Sequence, residues 1–124
     1  MQAFKTRWFA RWAVRQQLTD AALFGAVAEM ERGLVDAELG GEVVKKRVAL
    51  PGKGKRGGTR TLVAFRRGDR AFFIYGFSKN ERANISAKEL QALKLLAREL
   101  LSYSPPALVK AVKAGELLEV EDDG

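Results

Sequence analysis

A chain of 124 residues is long enough for one domain with its own core and too short for two of ordinary size. Its 47% apolar and 30% charged residues are a globular composition. The lack of both cysteine and histidine excludes disulfides, thiolate and imidazole metal sites, cysteine nucleophiles, the Ser–His–Asp triad and paired-histidine RNA cleavage. The formal charge is +7, so any catalysis must run on lysine, arginine, tyrosine, hydroxyls or carboxylates.

Residues 4–17 read as a short strand or turn entering a helix, in which Trp8, Phe9, Trp12 and Ala13 form an apolar stripe beside Arg7, Arg11 and Arg15. Tryptophan next to arginine can stack on bases, but tryptophans at i and i+4 are more often core anchors, which is the reading preferred for Trp8 and Trp12. Thr19 or Asp20 caps a second helix over 21–32, with Leu23, Phe24, Val27 and Met30 on one face, and Gly33 ends it. Residues 34–42 read as an irregular connection.

From Val43 the periodicity changes to extended, with β-rich runs at 43–50, 59–67 and 71–78. The third run (AFFIYGFS) is apolar on both faces, which suits a central strand. Residues 67–70 are short enough for an antiparallel hairpin turn. Residues 51–58 (PGKGKRGG) form a basic loop rich in glycine.

Ser86 and Glu89 make a capping box that opens a helix to about Ser102, with Leu90, Leu93, Ala97, Leu100 and Leu101 facing inward. Pro105 starts a short final helix that Gly115 closes. Residues 117–120 can add an edge strand before the acidic tail Glu121-Asp122-Asp123. This order predicts a single α+β domain over residues 1–124: N-terminal helices packed on a small antiparallel sheet, followed by C-terminal helices. No stretch approaches the roughly 18 apolar residues of a membrane span, and residues 1–15 lack the apolar core of a signal peptide. A cytoplasmic protein with no membrane partner is therefore expected.

The charge is concentrated. Residues 1–42 carry 5 basic and 6 acidic side chains, residues 43–82 carry 12 and 2, and residues 83–124 carry 5 and 7. Between Val43 and Gly68 there is no acid, while Lys45, Lys46, Arg47, Lys53, Lys55, Arg56, Arg60, Arg66 and Arg67 all fall there. Self-repulsion of this kind opposes folding, and a polyanionic partner explains it.

Gly52, Gly54 and Gly57 match G-x-G-x-x-G, but the motif leads into a strand instead of a helix and no acid follows to hold a ribose. The Walker A pattern is absent as well. Glycines here serve to let backbone N–H groups and flanking lysines approach phosphates. By alternation Lys45 and Arg47 share one face of the first strand, while Lys46 falls on the apolar side with Val44 and Val48. Antiparallel pairing would bring Arg60, at the start of the second run, close to Ser78 and Lys79 at the end of the third. Arg82 follows shortly after.

A rim of cations with Glu81 as its one nearby carboxylate fits a phosphodiester, and it lacks the paired acids of a glycosidase or a magnesium nuclease. RNA needs neither metal nor cofactor to be cut, because its 2′-OH can attack the adjacent phosphate. That reaction requires a base, a charge stabiliser and an acid. With no histidine available, a lysine among other cations is the candidate base, while arginines can only stabilise or orient.

Residues 40–82, with GGEVVKKRVALPGKGKRGGTRTLVAF followed by FFIYGFSKNER, resemble the RelE/HigB superfamily of toxins from type II toxin–antitoxin systems. They are most similar to the HigB-like branch with its Gly-Lys-Gly-Lys-x-Gly-Gly-x-Arg loop. The resemblance implies an mRNA interferase: a ribosome-dependent, metal-independent endoribonuclease, neutralised by a cognate antitoxin. It implies site roles for Lys45, Arg47, Arg60, Lys79 and Arg82. Lys46, Lys53, Lys55, Arg56, Arg66 and Arg67 are expected to hold RNA or the ribosome. Asn80 and Ser86 stand where some RelE members have an arginine and a tyrosine. The alternative is a non-catalytic toxin fold directed at another protein, as in gyrase-directed ParE-like relatives, or a plain RNA-binding module.

Overall fold

The computed structural model describes residues 1–50 and 54–121, apart from the side chains of 54–57. Four helices cover a six-stranded sheet of order β2-β3-β4-β5-β1-β6. Strand β1 (Gln2–Thr6) leads into α1 (Arg7–Gln16), and α2 (Asp20–Glu31) follows. Strands β2 (Ala37–Glu38), β3 (Val43–Leu50), β4 (Gly54–Arg66) and β5 (Arg70–Ser78) form an antiparallel meander. Helices α3 (Ala87–Leu101) and α4 (Pro105–Lys113) precede β6 (Leu117–Glu119).

Local signals account for the helix starts. The side chains of Thr6, Thr19, Ser86 and Ser104 each accept a hydrogen bond from a first-turn N–H, and Ser86 with Glu89 forms the reciprocal capping box. Gly33, at φ +84°, turns the chain away after α2.

The sheet has a core on each face. Phe9, Trp12, Leu23, Val27 and Met30 of α1 and α2 pack on Val44, Val48, Val63 and Phe73. On the other face Ala97, Leu100, Leu101 and Leu108 of α3 and α4 pack on Phe4, Val43, Leu62 and Phe72. Strand β5 serves both cores, as its doubly apolar sequence predicts, and Ala71, Phe72 and Phe73 are fully buried.

The structure departs from expectation at four points. β1 runs parallel to β5, with Phe4 beside Phe72 and their rings stacked 5.2 Å apart, so the sheet is mixed. Residues 34–42, expected to be irregular, contain β2, which pairs with β3 through Ala37–Lys45 and Glu38–Val44. β4 begins at Gly54, not at Thr59, so the expected glycine loop shortens; residues 51–53 lie outside the described residues. A Cβ on Gly58 would sit 2.4 Å from the Val48 carbonyl oxygen, and glycine there lets β4 run close against β3. Of the paired tryptophans only Trp12 is a core anchor; Trp8 is 44% exposed.

Candidate functional site

Register places the expected cations on one face of the central strands. Arg47 of β3 lies opposite Arg60 of β4, and Arg60 lies opposite Phe77 of β5. The next row on that face is Lys45, Leu62 and Tyr75. Each row crosses three strands, about 10 Å at the usual strand spacing. This is the face that α3 and α4 cover further along, where Val43, Leu62, Ala64 and Phe72 are buried. Thr59 pairs with Ser78, so β5 ends beside the middle of β4, and Arg60, expected at the start of its strand, lies mid-strand with Lys79 just past the end of β5.

Arg60 is the electrostatic centre of this group. Its Nη1 is buried and has no hydrogen-bond partner among the described residues. A buried donor left unpaired costs about 1–3 kcal/mol, more when charged, and such a group calls for a partner outside the protein's own atoms. Lys45 is half-buried and Lys79 exposed, and neither forms an ion pair among the described residues. Arg47 is held differently. Its backbone N–H donates to Asp36 Oδ2 at 2.6 Å, and its Nε lies 3.8 Å from Asp36 Oδ1.

Other expected site residues are engaged elsewhere. Lys46 points into the α2 face, 4% exposed, where its Nζ meets Glu29 Oε1 at 2.7 Å and donates to the Leu34 carbonyl at 2.9 Å. Burying an ammonium requires such partners, so its role is structural. Arg66 is the last residue of β4, six positions beyond Arg60, and makes a two-point contact with Glu42 at 3.0 and 2.9 Å. That contact draws the Glu42 carboxyl below its ordinary pKa. Arg67 is exposed in the turn beyond. Lys53 lies outside the described residues, as do the side chains of Lys55 and Arg56.

Arg82 is a clamp. It donates to both Glu89 oxygens at 2.9 and 2.6 Å and to the Asn84 carbonyl at 2.8 Å. Its Cζ lies 6.0 Å from the Phe77 ring centroid, and Nη1 reaches the Tyr75 hydroxyl at 3.5 Å. Arg82 therefore fixes the 79–86 segment to the start of α3 beside the cation rows. Arg82, together with the Ser86 backbone N–H and hydroxyl, holds the Glu89 carboxyl at about 2, below its ordinary 4.5. A depressed carboxyl stabilises the fold above pH 4.5, and that contribution disappears as pH falls towards 2. Acid unfolding should thus steepen between about pH 4.5 and 2. Glu89→Gln, which keeps a capping-box side chain, should flatten that segment of the stability–pH curve; an unchanged curve would remove the clamp.

Sequence reasoning missed two aromatic residues here, and weighed Trp8 beside its arginines as a base-stacking residue before preferring a core role for it. Tyr75 and Phe77, 6.4 Å apart, line the rows, and Trp8 stacks on Tyr75 at 4.6 Å. Alternation within AFFIYGFS could have placed Tyr75 and Phe77 with Arg60, whereas the reach of Trp8 depends on where β1 ends. Ser86 is spent on capping α3.

The family model for the RelE toxin of the RelE/RelB toxin–antitoxin system matches residues 1–120, which takes in both helical layers and the whole sheet. The chain belongs to the RelE toxin family. No curated protein matches it individually. Membership makes it a toxin-family protein whose partner class is an antitoxin, and toxins of this family are generally ribonucleases. Among the described residues of this RelE-family chain no helix is long and apolar enough to cross a membrane, and no three carboxylates gather as a metal site would need.

Proposed function

We propose that the protein is a cytoplasmic, ribosome-dependent endoribonuclease of the HigB-like branch that cuts mRNA without a metal and is silenced by a cognate antitoxin. The observation that carries this reading is the buried and unpartnered guanidinium nitrogen of Arg60, a residue that stands opposite Arg47 and Phe77 in the strand register. A phosphodiester seated there supplies the missing acceptor. Arg60 and Arg47 then stabilise the charge that grows on the phosphate oxygens as the ribose 2′-oxygen attacks phosphorus.

Proton transfer falls to lysine, because guanidinium groups do not release theirs. Lys45 is fixed on a strand and half-buried, so it is better placed than the exposed Lys79 to hold an exact geometry. Lys45 takes the proton of the 2′-OH. The O2′–P bond forms, the P–O5′ bond breaks, and Lys79 returns a proton to the leaving 5′-oxygen. The products are a 2′,3′-cyclic phosphate end and a 5′-hydroxyl end.

Inducible expression in a bacterium tests this reading, with translation rate and mRNA 5′ ends followed over minutes. Rapid arrest accompanied by new in-frame 5′ ends is expected. Arrest with DNA damage and no new ends, or no arrest, would move the protein to the gyrase-directed or binding-only alternatives. Lys45→Arg keeps the charge and removes the proton acceptor, so it should bind ribosomes normally while cutting at least about a hundredfold more slowly.

A further inference from the structure

The solvent face of α1 carries a second basic feature, outside the cation rows. Arg7, Arg11 and Arg15 recur every fourth residue, all exposed, and none has an ion pair or hydrogen bond among the described residues. They lie opposite the buried Phe9, Trp12 and Ala13 and span about 12 Å along the axis. The helix holds no acidic residue, and its first turn carries Arg7 where an acid would complement the dipole. Like charges four apart also repel. Local helix stability is therefore lowered by a stripe that serves no contact within the described protein.

A row of rings connects this stripe to the cation rows. β1 pairs with β5 only as far as Lys5–Phe73, so the last residues of β5 run past the end of β1. There Trp8, exposed beside the arginines, stacks on Tyr75 at 4.6 Å; Tyr75 lies 6.4 Å from Phe77, and Phe77 lies opposite Arg60. Arginines flanked by aromatic rings are the combination that holds single-stranded nucleic acid, with the charges following the phosphates and the rings meeting the bases. An acidic peptide would match the arginines and leave the rings unused.

We propose that α1 is a second RNA-binding surface. Phe77 is buried and backs Tyr75 from within, so a single strand seated at Arg60 passes around the edge of the sheet past Tyr75 and Trp8, and its next phosphates lie on Arg7, Arg11 and Arg15. This rests on the reading of the protein as an RNA-cutting toxin and extends the bound segment beyond the scissile phosphate.

The test uses the full chain and labelled 2′-O-methyl oligoribonucleotides, which the proposed chemistry cannot cut, of about 12 and about 4 nucleotides. Binding is followed by anisotropy over a range of salt concentrations. The triple variant Arg7→Gln, Arg11→Gln, Arg15→Gln should bind the longer strand at least about tenfold more weakly, with a salt slope shallower by about 2. Its affinity for the shorter strand should fall much less. A second triple variant, Arg98→Gln, Lys110→Gln, Lys113→Gln, removes the same charge from α3 and α4 and should change the long-strand slope little. Equal effects from the two triples, or a wild-type slope in the first, would overturn the proposal. Thermal unfolding checks that both variants fold; relief of repulsion should leave the α1 variant at least as stable as wild type. Cleavage plays no part in this readout. Loss of the α1 effect alongside mRNA cuts in cells sinks only this surface, and loss of the cuts alongside an α1 effect sinks only the nuclease reading.

Discussion

Arg60→Ala should abolish growth arrest while leaving the fold at least as stable as wild type. Removing one preorganised donor to a transition-state oxyanion costs about 3 kcal/mol, or a hundredfold in rate. No hydrogen bond or ion pair among the described residues goes with Arg60, so its removal costs only the packing of its half-buried stem. Its Nη1 has no partner among the described residues, and Arg47 lies directly across the strand pair. Deleting it relieves a repulsion and an unpaired donor together, so the unfolding midpoint should hold or rise even as activity disappears. Purified variant, thermal unfolding and a growth curve suffice to read both halves. Undiminished arrest by a well-expressed variant would remove Arg60 from the site, whereas a fall in midpoint would mean that its charge is compensated in a way the structure does not show.

The largest effect on stability is expected at Gly76. A Cβ at this position would lie 2.2 Å from Trp12 Cζ3 and 2.4 Å from Cη2, well inside contact distance. Those atoms belong to a buried ring with no free end to swing aside, since Trp12 is 3% exposed. Gly76→Ala must therefore displace either α1 or β5. Overpacking of this kind costs about 3 kcal/mol, a large share of the stability of a small domain. The midpoint should drop by on the order of 10 °C. Trp12→Leu on its own also destabilises, yet in the Gly76→Ala background it should recover part of the loss, because the two changes share one contact. Simple additivity of the two would show that the ring and the glycine are not coupled.

Most of the secondary structure was legible because its signals are local. β3 falls at 43–50 as expected, and the caps at Thr19 and Ser86 mark their helices. The parallel pairing of β1 with β5 was not legible, since it depends on which strand lies free once the meander has formed, and residues 2–6 do not encode that choice. The site divides along the same line. Alternation put Lys45 and Arg47 on one face and Lys46 on the other, and strand register joined them to Arg60. An acid-free run, however, cannot tell which cations are spent on acids brought in from other elements. Lys46 meets Glu29 of α2 and Arg66 meets Glu42 just before β3, and beyond the run Arg82 likewise meets Glu89 of α3. Each of these carboxylates is supplied by tertiary structure, so the charge run overstated the free cations of the site.

The place of β1 between β5 and β6 also sets the order in which the molecule can assemble. The meander from β2 to β5 closes by neighbouring hairpins and can form early. β1 emerges first during synthesis, yet one of its partners comes from the middle of the chain and the other, β6, from residues 117–119. Until β5 arrives, Ala3 and Phe4 have no sheet on either side, and α1, tethered directly to Thr6, has no fixed platform from which to hold Trp12 against Gly76. High contact order is thus concentrated in the first and last strands. A nascent chain halted before β6 would carry the cation-bearing hairpins but leave one edge of β1 without its strand, and with it the backbone partners of Phe4, Lys5 and Thr6.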